Sequence, residues 1–155
     1  MSITDLATVA ALKELGIRYA RHVDRREFDQ LDSVLGADAS IAGFTGDPAA
    51  QQPLYRMDGL ATIQQGLQLL HRYQRTFHLV GQQLLLSLTP DSASGETYCI
   101  ASHFHHKQGK DHCFVMYIRY QDRFAKVDGQ WRFVERALIV DRTEGEDVDL
   151  SLIHI

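Results

Sequence analysis

The first residue whose position suggests chemistry is an aspartate near the end of the first predicted helix. Counted at about 100° per residue, Asp24 falls on a stripe of that helix that is otherwise apolar. The apolar members of the stripe are Leu6, Ile17 and Ala20. A carboxylate that faces a core is costly unless it has a partner. Lys13 falls near the same arc, however, and the alternative is that Asp24 ends the helix and caps the turn before Glu27.

A histidine, His78, opens the first long predicted strand. Apolar residues occupy alternate positions after it, namely Val80, Leu84, Leu86 and Leu88. Alternate side chains of a strand share a face, so we expect His78 to point to the interior. An imidazole in that position is a candidate general base. The alternative is a hydrogen-bonded histidine of the core.

Four further histidines lie close together around a predicted hairpin, namely His103, His105, His106 and His112. His103 and His105 are two apart on one strand, and this spacing suits zinc only when a third ligand converges on it. The intervening Lys107–Lys110 segment is typical of an exposed hairpin end. We therefore expect a solvated, histidine-rich loop without a metal ion, in which His103 alone lies near the interior.

A tyrosine and an aspartate share one face of a later predicted strand with Met116 and Ile118. Tyr120 and Asp122 are therefore both candidates to line an internal pocket. Asp122 could equally pair with Arg136 across the final hairpin, and we favour this structural role for it.

The segments that must position these residues are helical in the first half of the chain. The first predicted helix runs from Thr4 to about Val23, with a capping box at Ser2 and Asp5, and a shorter helix at Arg26–Leu35 stops at Gly36. A strand at Ala39–Phe44 and a loop at Thr45–Pro53 follow. Asp58 is predicted to cap a third helix, whose buried side carries Leu60, Ile63, Leu67 and Leu70. The cluster of Arg18, Arg21, Arg25 and Arg26 is typical of a solvated helix face.

Long strands fill the second half, at His78–Leu88, Gly95–His106, Cys113–Val127 and Gln130–Arg142. Helices followed by a strand meander predict the α+β class, with the N-terminal helices packed on one face of a highly curved antiparallel or mixed sheet. Strands of this length curl, so we expect a cone-shaped barrel with an internal pocket.

Several short strings resemble the SnoaL-like, or nuclear transport factor 2-like, superfamily over roughly Asp5 to Thr143. These strings are Arg18-Tyr19-Ala20 with Asp24, Phe28-Asp29, Phe77-His78-Leu79-Val80-Gly81, Glu96-Thr97-Tyr98-Cys99 with Ala101 and His103, Arg119-Tyr120-Gln121-Asp122-Arg123-Phe124, and Asp128-Gly129-Gln130-Trp131-Arg132-Phe133 with Arg136. The superfamily includes scytalone dehydratase, bile-acid 7α-dehydratase, ketosteroid isomerase, polyketide cyclases and the non-catalytic β subunits of ring-hydroxylating dioxygenases.

The resemblance implies a site in which Asp24 holds the imidazole of His78 and Tyr19 assists. It also places His103 and Arg142 at the substrate. Tyr120 and Tyr55 are further predicted substrate-binding residues, because a phenol can donate a hydrogen bond to a developing oxyanion or a leaving hydroxyl. The free ring nitrogen would take a proton from a carbon beside a carbonyl or a leaving group, without a metal or organic cofactor. The predicted function is a lyase or isomerase of the dehydratase type that acts on a small hydrophobic cyclic compound. The alternative is a non-catalytic binding or subunit-assembly module.

The bulk properties exclude some classes of function. The chain has 155 residues and a net charge of −4 without a basic stripe, so we expect one domain that does not bind nucleic acid. No apolar run is long enough for an export signal or a membrane span. Only Cys99 and Cys113 are present, which favours a reducing cytoplasm.

The domain is predicted to span residues 1–143. We expect residues 144–155 to form a lid, a dimer contact or a disordered tail. The resemblance implies a homodimer or homotrimer.

Overall fold

The computed structural model describes residues 5–148. Its elements are α1 (Leu6–Asp24), a 3₁₀ helix (Phe28–Ser33), β1 (Leu35–Phe44), β2 (Tyr55–Asp58), α2 (Leu60–Leu67), a second 3₁₀ helix (Gln68–Arg72), β3 (Arg75–Leu88), β4 (Ser92–Lys107), β5 (Lys110–Val127) and β6 (Gln130–Glu144). The six strands form one sheet in the order β2-β1-β6-β5-β4-β3. Only β1 and β6 run parallel. The α+β class and the mixed sheet are confirmed, but the sheet is open, with β2 and β3 as its edges.

Helix α1 begins at a side-chain cap. Asp5 accepts hydrogen bonds from the backbone N–H groups of Ala7 and Thr8 at 3.1 and 3.2 Å, so the helix begins two residues later than predicted. Ser2 of the predicted capping box lies outside the described residues. The buried stripe is Leu12, Leu15, Tyr19, Ala20 and Val23, whereas Leu6 and Ile17 are exposed. The predicted stripe was therefore wrong by part of a turn, and Asp24 lies at the edge of the buried face.

The strand that carries His78 changes phase within its length. Thr76, His78 and Val80 face inward, but a bulge between Val80 and Gln83 interrupts the pairing with β4. One extra residue reverses the side that each later residue faces. Leu84 and Leu86 are consequently 65% and 61% exposed, opposite to the prediction, and Leu85 is buried instead.

Other elements in the first half of the chain also differ from the sequence prediction. The second helix is only the 3₁₀ segment Phe28–Ser33, because the chain enters β1 at Leu35 and Gly36 lies within that strand. Helix α2 is preceded by Gly59 at φ 89°, and no side chain caps it. Asp58 instead accepts the Nε–H of Arg56. The short strand β2 was not predicted.

Two groups of buried side chains fill the space between the helices and the inner face of the sheet. The larger group joins α1, α2 and the first 3₁₀ helix to β1 and β6, with Leu12, Leu31, Ile63 and Phe133 fully buried. The smaller group lies on β4, β5 and β6 and contains Cys99, Ala101, Met116, Ile118 and Leu138. The end of α1 and the start of β3 meet beside this smaller group. No helix within residues 5–148 combines the length and hydropathy needed to cross a bilayer.

Replacing the N-cap of α1 tests how firmly this helix is anchored. We expect Asp5→Ala to lower the free energy of unfolding, because two backbone N–H groups lose their acceptor. Asp5→Ser is the matched control, since a serine hydroxyl accepts the same bonds. Urea denaturation compares the variants, and equal stability of the alanine and serine proteins would contradict the assigned cap.

Candidate active site

The carboxylate of Asp24 joins the end of α1 to the start of β3 through three hydrogen bonds. Oδ1 lies 2.7 Å from Nδ1 of His78 and 2.9 Å from the hydroxyl of Thr76. Oδ2 accepts the backbone N–H of His78 at 3.0 Å. The two side chains that the resemblance paired across 54 positions are thus within hydrogen-bond reach.

These contacts determine which ring nitrogen of His78 carries the proton. An ionised carboxylate only accepts, so Nδ1 donates and the neutral ring has its lone pair on Nε2. Nε2 has no hydrogen-bond partner among the described residues. The ring is 8% exposed. The arrangement therefore presents a free, unprotonated nitrogen from a ring that is fixed at its other side.

The bonds to Asp24 also favour its ionised form. Burial alone would raise the pKa of this carboxyl group, but the bonds from His78 and Thr76 outweigh it and lower the pKa below the usual 3.8. Arg26 supports the arrangement from behind, because its guanidinium donates to the Thr76 hydroxyl at 2.8 Å and to the carbonyls of Val23 and Leu70. These bonds hold Arg26 at φ 60°, a left-handed conformation that costs a non-glycine residue energy.

His78 borders two separate spaces. The first is an internal cavity between α1 and the inner face of the sheet, where the volume open to the centre of a water molecule is only about 20 Å³. That is room for about one water molecule. Its polar members are Tyr19, His78, His103 and Tyr120, and its apolar members are Val23, Leu67, Leu70, Ala101, Met116, Ile118 and Leu138.

The second space is a groove on the outside, between α1 and the edge strand β3. It has a volume of about 360 Å³ and is lined by Ile17, Ala20, Arg21, Asp24, Arg25, His78 and Val80. His78 lies in the wall between the groove and the cavity. Of these two spaces, both formed by residues 5–148, the groove is the one with room for a ligand larger than water.

Both cavity tyrosines are neutral phenols near pH 7. Burial raises the pKa of Tyr19 to about 12, although the nearby Arg136 acts in the opposite direction. Burial likewise raises the pKa of Tyr120 well above 10. Each hydroxyl thus keeps a proton that it can donate to a developing negative charge.

A buried ion pair supports the tyrosine rings. Arg136 donates to both carboxylate oxygens of Asp122, at 2.7 and 3.2 Å, and both side chains are almost completely buried. The guanidinium carbon lies 3.7 Å from the ring centroid of Tyr120 and 4.6 Å from that of Tyr19. The favoured structural role of Asp122 agrees with this geometry.

Of the other predicted site residues, His103 lies at the cavity, whereas Tyr55 and Arg142 do not. His103 lines the cavity, and its Nδ1–H donates to the carbonyl of Phe114 at 3.1 Å. The buried hydroxyl of Tyr55 has no partner among residues 5–148, and its ring lies against Gly43 rather than along the cavity. Arg142 is exposed beside Glu144, away from both spaces, because the bulge near Ile118 pairs it with the outward Tyr117.

The histidine cluster is less solvated than predicted. His105 is buried like His103, and its Nε2 lies 2.7 Å from the backbone carbonyl of Glu146. His106 is exposed and pairs with Asp111. Within residues 5–148, no three His, Cys, Asp or Glu side chains are grouped so as to hold a metal ion.

Sequence reasoning missed Thr76 and the inward role of Arg26. Thr76 lies two positions before His78 and so shares its face of the strand, a signal that was available in the sequence. Arg26 was predicted to be solvated with its neighbours. Its inward turn depends on a backbone conformation that composition does not reveal.

Removing the charge of Asp24 tests how strongly its hydrogen bonds hold the end of α1 to the start of β3. We expect Asp24→Asn to lower the free energy of unfolding by about 2 kcal/mol at neutral pH, because charge-assisted hydrogen bonds are lost. The pKa of Asp24 is lowered in the folded state, so this contribution is complete above the unfolded value of 3.8 and disappears as the pH falls through the folded value. Urea denaturation at neutral pH and at about pH 3 measures the difference between the two proteins. A difference that stays constant with pH would contradict the assignment.

His103 should make the protein sensitive to acid. Burial lowers its pKa from 6.5 to about 4, although the bond to Phe114 acts against this. The unfolded chain binds the proton first, so stability falls by up to roughly 3 kcal/mol as the pH drops across that range. We expect His103→Gln, whose amide still reaches the carbonyl, to show a smaller loss in urea denaturation. The same pH slope in both proteins would exclude His103 as the cause.

Comparison with known proteins agrees with this architecture. A family model described as a SnoaL-like domain matches residues 4–137, whereas no curated protein matches the chain. The chain is similar in structure to a putative scytalone dehydratase from Novosphingobium aromaticivorans (TM-score 0.79, 22% identity, 96% of this chain and 94% of that one). It is also similar to a hexachlorocyclohexane dehydrochlorinase (0.76, 18%, 92% and 90%). A third similar structure is the β subunit of a putative aromatic-ring-hydroxylating dioxygenase from N. aromaticivorans (0.74, 18%, 97% and 99%). The family match covers most of the sequence, and the chain therefore belongs to the SnoaL-like domain family.

Proposed function

We propose that this protein is a cofactor-independent lyase or isomerase in which His78 acts as a general base on a small hydrophobic cyclic compound. The observation that carries the proposal is the 2.7 Å contact between Nδ1 of His78 and Asp24, with Nε2 left free. A base must have an unprotonated atom in a fixed direction, and this pair provides it.

The proposed reaction begins when Nε2 of His78 takes a proton from a carbon beside a carbonyl group. The carboxylate of Asp24 stabilises the imidazolium that forms, since it already accepts the Nδ1–H. The electron pair of the broken C–H bond moves toward the carbonyl oxygen or into a new C=C bond. In an elimination the C–O bond to a β-hydroxyl then breaks, and the leaving hydroxide takes the abstracted proton from the imidazolium, directly or through the Tyr19 hydroxyl, so that water leaves and His78 returns to its neutral form.

Tyr19 is the proposed donor to the one small group of the substrate that the cavity can admit, either the developing oxyanion or the leaving hydroxyl. Its phenol is protonated near neutral pH, and it shares the internal cavity with the histidine ring. Tyr120 and His103 border the same small space. The cavity has room for about one water molecule, which matches a hydroxyl that leaves as water.

A second candidate function is a non-catalytic assembly module. The specific observation in its favour is the small size of the cavity, about 20 Å³, because large side chains such as Met116, Leu67 and Leu70 fill the space between α1 and the sheet. One similar structure is a dioxygenase β subunit. A module of this kind needs no free base at Nε2 of His78, so the two functions predict different results for the same variant.

Proton abstraction is testable before the natural substrate is known. We expect the protein to catalyse hydrogen–deuterium exchange beside the carbonyl of cyclohexanone and loss of water from 3-hydroxycyclohexanone. His78→Ala should lower these rates by about 10²–10⁴-fold. Asp24→Asn should also lower them strongly, because an asparagine amide favours the wrong ring tautomer.

The matched control is His106→Ala. His106 also directs Nδ1 at a carboxylate, that of Asp111 at 2.9 Å, but both side chains are exposed on a hairpin. We expect this variant to keep full activity. Circular dichroism checks that each variant is folded, and a folded His78→Ala protein with unchanged exchange rates would refute the general-base role and favour the assembly module.

A further inference from the structure

The rim of the groove between α1 and β3 carries two arginines that the proposed chemistry at His78 does not use. Arg21 and Arg25 line this groove together with the apolar side chains of Ile17, Ala20 and Val80. Apolar walls beside two guanidinium groups form a binding surface of mixed character. Such a surface suits a molecule with a compact apolar body and one anionic group.

Both arginines already lie near a carboxylate of the chain itself. Oε1 of Glu27 is 3.3 Å from Nε of Arg25 and 3.8 Å from Nη1 of Arg21. A guanidinium has five N–H donors, so these contacts leave most of the donors available. Both arginine side chains are also more than half exposed. The pair is therefore open to a second carboxylate from solution.

The other charges near this rim do not cancel the positive charge of Arg21 and Arg25. Asp24 is negative, but its oxygens accept bonds from neighbouring groups and the guanidinium of Arg26 lies behind it. Among these residues, Arg21, Arg25 and Arg26 stand against only Asp24 and Glu27. One positive charge is left in excess around the groove, which the imidazole of His78 also lines.

We propose that the groove binds a small carboxylate-bearing compound, with its carboxylate on Arg21 and Arg25 and its apolar body against Ile17 and Val80. This orientation directs the body toward His78 from outside, where the groove offers about 360 Å³ and the internal cavity offers almost none. The assignment names the substrate class of the proposed function and rests on it for the chemical step.

A purely structural role of the arginines is the alternative. Arg21 lies in the last turn of α1 and Arg25 directly follows it, where positive charges interact favourably with the helix dipole. That role affects stability, but it gives no preference for an anionic over a neutral ligand. Selectivity between two probes of the same shape therefore separates the two roles.

The experiment compares cyclohexanecarboxylate with cyclohexanemethanol as probes, titrated at low salt and followed by amide NMR at Val80 and His78. We expect the wild-type protein to bind the carboxylate roughly threefold or more tightly than the alcohol, and added salt should remove the preference. Arg21→Gln and Arg25→Gln should each reduce the preference, and the double variant should abolish it.

Arg18→Gln is the matched control, because it removes one arginine from α1 whose guanidinium pairs with Glu14 and does not line the groove. We expect it to keep the preference. Glu27→Gln should strengthen carboxylate binding, since it removes the competing anion, and it keeps the test valid if the double variant does not fold. Equal binding of the two probes by the wild-type protein, or an unchanged preference in Arg21→Gln and Arg25→Gln, would overturn the proposal. A wild-type protein that prefers the carboxylate probe but does not catalyse the hydrogen–deuterium exchange would instead count against the proposed function.

Discussion

The arrangement of the site depends on one half-buried carboxylate. Asp24 ends α1 and accepts three hydrogen bonds from β3, two of them from His78 itself. Because the backbone N–H and the ring of one residue bind the same carboxylate, the position of the strand and the direction of the imidazole are determined together. The contacts that orient the His78 imidazole are thus the same contacts that dock the first helix on the edge of the sheet.

A second buried charge organises the opposite side of the cavity. Arg136 has lost nearly all its water, and its pairing with Asp122 and stacking on aromatic rings compensate for that loss. Burial lowers the pKa of a guanidinium, but the nearby Asp122 outweighs this effect and raises the pKa of Arg136, so the positive charge persists. This charge lies against the tyrosines that face His78. The interior therefore combines a fixed imidazole, neutral phenols and a permanent cation within an otherwise apolar shell.

The position of His78 between two spaces refines the idea of a ligand pocket inside the sheet. The described side chains nearly fill the interior, whereas the groove between α1 and β3 is larger and reaches the same ring. Families with this fold include enzymes and non-catalytic subunits, and fold alone does not distinguish them. What distinguishes them physically is whether a reacting carbon can approach Nε2. In this protein the end of α1 and the part of β3 before the bulge after Val80 line the larger of the two spaces beside the ring.

The sequence by itself determined the α+β class, the order of helices before strands, and the candidacy of Asp24 and His78, because these follow from local periodicity and from motifs in a characteristic order. It did not determine the phase of β3 after Val80, the inward turn of Arg26, the isolation of Arg142 from the cavity or the small size of that cavity. Each of these depends on a bulge, a left-handed residue or the packing of side chains from distant segments. Local patterns cannot specify such features, since their energy comes from contacts between residues tens of positions apart, and only the tertiary structure brings those residues together.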